Sequence, residues 1–262
     1  MKLDRELKVA KDLALEAGAL LLRHRGSSFE VGHKANGEVV TAADREADGL
    51  IRAGLASAFP SDAILSEETP DSQERLSISR VWIVDPMDGT SNFVERGDEF
   101  CVSIGFAVDG LAVLGVVYNP VRDELFAGCE GCGVTLNGAP VRVSEATDLT
   151  TARLAVSRKE WHRGLKELAV SLPIAPKASV AYKLARVAAG LEDGMFSAKS
   201  RKQWDICAGV ALVLAAGGLV TLLDGREIRF NSLELRHPLG IVASGPGLHP
   251  VLSEAVRRLV PF

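Results

Sequence analysis

The sequence predicts a protein that joins an α+β half to an α/β half, and three observations support this class. Residues 1–144 contain two amphipathic helical segments, followed by apolar strands connected by tight turns. From residue 145 onward, short strands alternate with helices, a pattern typical of α/β folds. The chain has 262 residues, of which 47% are hydrophobic, so each half can bury a sizeable core. Because no long linker separates residues 1–144 from residues 145–262, we expect the halves to share an interface.

In the N-terminal half, leucine and alanine at helical spacing predict a first helix over residues 3–25. Thr41 is predicted to cap a second helix that ends near residue 59. Asp44 lies in the first turn of this helix, where an acid complements the helix dipole. An Asp-Gly pair at residues 109–110 predicts a hairpin. The predicted strands cover residues 63–66, 81–84, 100–108, 111–118, 124–127 and 134–136.

The C-terminal half is predicted to place helices around a smaller sheet. An Asp-Gly pair at residues 224–225 predicts a hairpin between strands at residues 219–223 and 227–230. The other predicted strands cover residues 153–157, 194–196 and 241–243. Helices are predicted over residues 161–171, 181–189, 205–216 and 250–259.

Charge and hydropathy exclude two classes of partner. The net charge of -4 argues against a nucleic-acid polymer, because a phosphate backbone requires a basic face. No basic leader precedes an apolar segment, and the longest apolar run, residues 208–220, is too short to cross a bilayer. We therefore expect a cytoplasmic protein with no membrane partner.

Cys129 and Cys132 have the CxxC spacing that redox sites and zinc sites use. A zinc site would require a second such pair, which the sequence lacks, and the motif lies in a glycine-rich turn. We interpret both as ordinary small residues of a turn.

The chemically notable residues are acids at the ends of predicted elements. Glu67 and Asp85 follow strands, Asp88 lies in the next turn, and Asp205 starts a helix. Each acid alone is most often structural, but a set of carboxylates without histidine or thiol suits hard cations, magnesium above all. Two such ions about 3.5–4 Å apart can hold both the attacking and the leaving oxygen of a phosphate displacement. The acids therefore indicate metal-dependent phosphate chemistry.

The turn after Asp88 adds backbone groups to these acids. Gly89 allows close approach of the backbone to a ligand. If a helix starts at Asn92, the N–H groups of Gly89, Thr90 and Ser91 are placed to bind a phosphate.

Four ordered motifs resemble the inositol monophosphatase family. DPMDGTSNF at residues 85–93 resembles the family signature DPxDGTxNF, and WDICAG at residues 204–209 resembles its second signature, WDxxAG. SEE at residues 66–68 and TAAD at residues 41–44 match two further family motifs. The resemblance implies a layered αβαβα sandwich with the site between the halves. It also implies a homodimer and magnesium-dependent, lithium-sensitive hydrolysis of a small phosphorylated metabolite.

The resemblance implies a ligand set for two magnesium ions. Glu67, Asp85 and the backbone carbonyl of Met87 would hold the first ion. Asp85, Asp88 and Asp205 would hold the second, so that Asp85 bridges the two. A third, weaker ion is implied beside Glu67.

The resemblance also implies a catalytic pair that orients water. Asp44 would accept a hydrogen bond from Thr90, and Thr90 would align the water that attacks phosphorus. With Glu67, these residues are the predicted catalytic set. The metal makes that water more acidic, so direct attack needs no histidine base.

The sequence does not decide which branch of the family, and therefore which substrate, this protein resembles most. Residues 91–96 continue like the inositol phosphatases, which favours inositol-1-phosphate or a similar sugar or polyol phosphate. Residues 196–202 instead carry basic side chains and no acid, which suits a second phosphate. The alternative for Lys199, Arg201 and Lys202 is a solvated basic loop. Two segments are similar to 3′(2′),5′-bisphosphate nucleotidases: Ser179 to Lys183 resembles their serine-to-lysine segment, and Phe230-Asn231 resembles their (Tyr/Phe)-Asn pair.

The nucleotidase alternative is removal of the 3′-phosphate of 3′-phosphoadenosine 5′-phosphate, and fructose-1,6-bisphosphate is a third candidate. Ser157, Ser179 and Lys183 are the predicted substrate contacts, with a solvated helix position as the alternative for Lys183. A non-enzymatic metal- or phosphate-binding protein is disfavoured, because every ligand position is present.

Overall fold

The computed structural model describes residues 2–26, 31–33, 39–162 and 173–259. Its helices of five residues or more are α1 (Asp4–Arg25), α2 (Ala42–Ala58), α3 (Thr90–Val94), α4 (Val180–Ala188), α5 (Gln203–Ala215) and α6 (His249–Leu259). Short helical turns cover Glu74–Ser77 and Arg158–Glu160. Among the described residues, no helix is both long and apolar enough to cross a membrane.

The first sheet has seven strands in the order β3-β4-β5-β6-β7-β8-β9. Strands β3 and β4 are parallel, and the remaining neighbours are antiparallel. A two-stranded ribbon, β1 with β2, precedes it. The strands are β1 (Val31–His33), β2 (Val39–Thr41), β3 (Ala63–Ser66), β4 (Arg80–Asp88), β5 (Cys101–Val108), β6 (Leu111–Asn119), β7 (Glu124–Cys129), β8 (Gly133–Leu136) and β9 (Ala139–Val141).

The second sheet has five strands in the order β11-β10-β12-β16-β14, of which the first three are mutually parallel. Strands β13 and β15 form a separate antiparallel ribbon. These strands are β10 (Leu154–Ser157), β11 (Ile174–Lys177), β12 (Gly194–Ser197), β13 (Arg201–Lys202), β14 (Leu219–Leu222), β15 (Arg236–His237) and β16 (Ile241–Ser244).

Three apolar cores separate five layers. The first core lies between α1 with α2 and the seven-stranded sheet, and includes Trp82. The second lies between the two sheets and is filled by α4 and α5. A Cβ on Gly115 of β6 would come within 2.1 Å of the Ala208 carbonyl, so α5 packs directly on the sheet backbone. The third lies between the five-stranded sheet and α6, and includes Phe196 and Leu252. This αβαβα order confirms the predicted fold class.

Most predicted elements are present, and their differences have physical reasons. Residues 227–230 do not form the predicted strand, because Leu219–Leu222 pairs instead with Ile241–Ser244 of the buried sheet. Helix α5 begins at Gln203, two residues before the predicted start at Asp205. The helix predicted over residues 161–171 lies mostly outside the described residues.

The interpretation of Cys129 and Cys132 as ordinary turn residues is wrong, because a disulfide joins them. The turn between β7 and β8 places their Cα atoms 5.3 Å apart, within the range that a disulfide spans.

A polar clasp ties the two halves together near the start of α5. The buried Arg75 guanidinium donates to both carboxylate oxygens of Asp71 and to Asn231 Oδ1 at 2.9 Å. The Asn231 amide donates back to the Arg75 carbonyl at 2.9 Å, and its N–H donates to Gln203 Oε1 at 2.7 Å. Asn231, part of the nucleotidase-like pair, therefore has a structural role here.

Candidate active site

The centre of the site is a bulge near the end of β4. Asp85 lies opposite Ser103 of β5, whereas Asp88 lies opposite Cys101, so three steps along β4 match two along β5. Regular alternation would place Asp85 and Asp88 on opposite faces of the sheet, because they are an odd number of residues apart. The extra residue brings both carboxylates to one cavity.

Three acids from three elements converge beside this bulge. Glu67 follows β3, which pairs in parallel with β4, so Glu67 and Asp85 leave the sheet at the same edge. Asp205 lies in the first turn of α5. One carboxylate oxygen of each residue lies within 4.8 Å of the others.

The electrostatics of this cluster favour a cation. Burial raises the pKa of Asp85 well above its usual range, and the charges of Glu67, Asp88 and Asp205 raise it further. Burial, followed by the charges of Asp88 and Glu67, raises the pKa of Asp205 to about 7. Carboxylate oxygens without histidine or thiol are the donors that hard divalent cations take, so the residues present fit magnesium.

Asp88 lines the cavity but lies outside the group of three. Its Oδ2 accepts hydrogen bonds from Ser179 Oγ at 2.6 Å and from the Ala181 N–H at 2.7 Å. Burial raises the pKa of Asp88, and these hydrogen bonds act in the opposite direction. Asp88 thus joins the bulge of the first half to the start of α4 in the second.

The predicted pair of Thr90 and Asp44 is in contact. Thr90 Oγ1 lies 3.1 Å from Asp44 Oδ1 and 3.1 Å from the Met87 carbonyl, two acceptors for its one proton. The other Asp44 oxygen accepts from the N–H and the hydroxyl of Thr41, both at 2.7 Å. Asp44 is only 1% exposed, so its position behind Thr90 is fixed by the start of α2.

Gly89 makes the turn between β4 and α3 possible. Its φ is 102°, and a Cβ there would lie 2.9 Å from the Glu99 carbonyl oxygen, so any other residue would clash. The helix after it begins at Thr90, two residues before the start at Asn92 that the phosphate-binding interpretation assumed, because Gly89 already supplies the left-handed residue before it. Gly89, Thr90 and Ser91 all line the cavity.

The site cavity has a volume of about 580 Å³ and two walls of opposite charge. The acidic wall is Glu67, Asp85, Asp88 and Asp205, and the basic wall is Arg158, Arg201, Lys202 and Arg236. Lys202 Nζ lies 3.5 Å from Glu67 Oε1, so the two walls meet there.

Sequence reasoning missed Arg158 and Arg236 as cavity residues. The one available signal was that Arg158 follows Ser157, the end of a predicted strand. Nothing local marks Arg236, which the ribbon β13–β15 brings beside Lys202.

The three predicted substrate contacts are not brought together. Ser157 lines the cavity. Ser179 is fully buried, and its hydroxyl is directed to Asp88. Lys183 is fully buried as well, so the solvated alternative is wrong, and its ammonium donates to the Ser179 carbonyl at 2.9 Å. Ser179 and Lys183 therefore lie behind Asp88, not along the cavity.

Comparisons with known proteins agree with this geometry. The model of the inositol monophosphatase family matches residues 2–260. Inositol monophosphatase 3 of Solanum lycopersicum is 34% identical over 236 residues, covering 84% of this chain and 87% of that protein. The Nus factor SuhB of Escherichia coli K12 is 31% identical, covering 96% of this chain and 98% of its own.

A solved structure shares both the fold and the sequence pattern. The inositol monophosphatase from Anabaena superposes with a TM-score of 0.83 at 31% identity, covering 100% of this chain and 98% of its own. Family match, identity and fold agree over nearly the whole length, so the chain belongs to the inositol monophosphatase family and is a phosphoric monoester hydrolase.

Proposed function

We propose that this protein is a magnesium-dependent phosphatase that removes a phosphate from a small metabolite by attack of water. The observation that carries the proposal is the convergence of Glu67, Asp85 and Asp205 beside the Thr90–Asp44 pair in one cavity. Carboxylates at this spacing, one of them buried and two half-buried, repel one another, and a bound cation would relieve that repulsion.

The acidic wall would hold the metal. Glu67, Asp85 and the Met87 carbonyl suit one ion, Asp85, Asp88 and Asp205 suit a second, and Glu67 borders a third, weaker position. When bound, magnesium supplies a Lewis acid for phosphate oxygens and water. The chain would contribute the oxygen donors, which lie on β4, after β3 and in the first turn of α5.

Thr90 and the turn around it would orient the reactants. A Thr90 hydroxyl that donates to Asp44 keeps its lone pairs for a proton from water, so it aligns the nucleophile. The N–H groups of Gly89, Thr90 and Ser91 would bind phosphate oxygens, where negative charge develops in the transition state.

Inositol-1-phosphate or a similar polyol phosphate is the first candidate substrate, because the relatives named above include inositol monophosphatases. The basic wall supports a second candidate, a bisphosphorylated compound such as 3′-phosphoadenosine 5′-phosphate or fructose-1,6-bisphosphate. Lithium inhibition, a homodimer and a cytoplasmic location remain predictions from the family resemblance.

The test is phosphate release from these three substrates with magnesium, with a chelator, and with magnesium plus lithium. We expect magnesium-dependent release, and the ratio of kcat/KM values across the panel identifies the substrate class. Release that persists in the chelator would contradict the metal requirement. No release from any substrate would contradict the proposal itself.

A further inference from the structure

A second buried carboxylate, Glu160, organises the basic wall without lining the cavity. It lies just beyond β10, is 4% exposed, and its N–H donates to Ser157 Oγ at 3.2 Å. Its side chain crosses to the segment that leads from β12 to α5. A buried carboxylate with several donors holds them firmly, because leaving any of them unpaired is costly.

Four donors converge on this carboxylate. Oε1 accepts from Ser197 Oγ at 3.0 Å, the Ala198 N–H at 2.8 Å and the Lys199 N–H at 3.1 Å. Oε2 accepts from Arg201 Nη2 at 3.2 Å. Glu160 therefore fixes the path of residues 197–199. It sets the direction of the Arg201 guanidinium together with Ser197 Oγ, which donates to Glu160 and accepts from Arg201 Nε at 2.9 Å and from Nη2.

The opposite side of the basic wall is built in the same way. Glu99, 5% exposed, accepts from Arg158 Nη2 at 2.8 Å and from the Ala178 N–H at 3.0 Å. Arg158 and Arg201 thus each have a buried glutamate behind them, and both line the site cavity. A guanidinium held from behind keeps its remaining N–H groups for an anion in front.

We infer that Glu160 is a positioning residue that sets Arg201 to bind a second anionic group of the substrate. The inference rests on the proposed function, since it names the part of the substrate that does not react. Glu160 acts through Arg201 and does not touch the substrate. Its loss should therefore raise KM for doubly anionic esters and leave kcat almost unchanged.

The first test measures binding without turnover. Butane-1,4-diphosphonate and butylphosphonate differ in the second anionic group, and calorimetry gives the ratio of their dissociation constants. We expect the wild-type protein to prefer the diphosphonate about tenfold. Glu160→Gln should reduce this preference to about twofold or less. The control is Asp62→Asn, a carboxylate that pairs with Arg80 outside the cavity and should keep the wild-type preference.

A double-mutant cycle separates positioning from a general loss of structure. In an Arg201→Gln background, Glu160→Gln should change the preference no further, because the group it positions is gone. Additive losses would overturn the inference, as would a wild-type preference retained in Glu160→Gln. If Glu160→Gln does not fold, the inference is tested with Arg201→Gln alone. A wild-type preference for the diphosphonate in Arg201→Gln would contradict the inference.

Turnover provides the second readout. With 3′-phosphoadenosine 5′-phosphate, Glu160→Gln should raise KM about tenfold, while inositol-1-phosphate shows less than about a threefold change. A loss confined to kcat would overturn the inference. Wild-type turnover without a diphosphonate preference contradicts the inference and leaves the proposed function standing. A diphosphonate preference without any turnover supports the inference and contradicts the proposed function.

Discussion

The two walls of the site cavity are built in opposite ways. The acids project from paired strands and from the first turn of a buried helix, so the backbone itself sets their positions. Arg158 and Arg201 of the basic wall are instead set by other side chains, Glu99 and Glu160. Hydrogen-bonded strands keep their positions unless the sheet unfolds. The position of an arginine that is held by another side chain can be changed by one substitution. The difference suggests that reaction type and substrate choice are encoded separately.

The strongest test of the acidic wall is Asp85→Asn. We expect kcat to fall by about 1000-fold or more, because the ligand that the proposal assigns to both metal ions loses its charge. The amide oxygen can still accept from the Met87 N–H, and one buried charge is removed. The melting temperature in chelator should therefore stay equal or rise. Asp12→Asn, at an exposed ion pair on α1, is the control. Activity within about tenfold of wild type would remove Asp85 from the metal site.

Thr90→Val tests whether the acidic wall requires an oriented hydroxyl. Valine keeps the shape and removes the bond to Asp44, so kcat should fall about 100-fold with KM little changed. Thr90→Ser keeps the hydroxyl and should restore most of the rate. Equal losses in both variants would mean that packing, not water orientation, sets the effect.

Lys183 lies behind the acidic wall and allows a pH test of its construction. Burial lowers the pKa of Lys183 from 10.5 to about 8. Between those values the unfolded chain binds more protons than the folded one, so this residue makes stability rise with pH. Relative to Lys183→Met, the wild type should gain about 2 kcal/mol between about pH 7 and pH 9.5.

Urea unfolding at the two pH values measures this gain. Lys8→Met, at an exposed lysine of α1, supplies the comparison in which no such gain is expected. An equal pH dependence in wild type and Lys183→Met would show that Lys183 titrates normally.

The smallest expected effect lies on the basic wall at Arg158. Its side chain is 46% exposed, against 16% for Arg201, so solvent screens its contacts more strongly. Arg158→Ala should raise KM for a doubly anionic ester about fivefold and change kcat by less than about twofold. A larger loss than in Arg201→Gln would reverse the ranking of the two arginines.

The positions of the acidic-wall residues could be predicted from the sequence, because a local sequence pattern marks each of them. Asp85 lies near the end of an apolar strand, Asp205 lies in the first turn of an apolar helix, and the turn at position 89 needs a residue that tolerates positive φ. The layered fold followed from the same elements and from the family motifs.

The basic wall was less predictable because its geometry depends on contacts distant in the chain. Arg158 meets Glu99 across 59 residues, and Arg201 meets Glu160 across 41. Lys183 illustrates the reverse error: a lysine on a predicted helix suggests solvent or a substrate phosphate, yet tertiary packing buries it completely. No local sequence pattern indicates which charged residues become buried at the interface between the halves.

The clasp of Arg75, Asn231 and Gln203 has a consequence for how this chain opens. Gln203 lies two residues before Asp205, so the hydrogen bonds that tie the halves together also hold one acid of the site. A motion that separates the halves would also separate Asp205 from Glu67 and Asp85. Loss of ligand binding and loss of the fold would then belong to one cooperative event, and a divalent ion held by the proposed ligands would raise the free energy of unfolding of both halves.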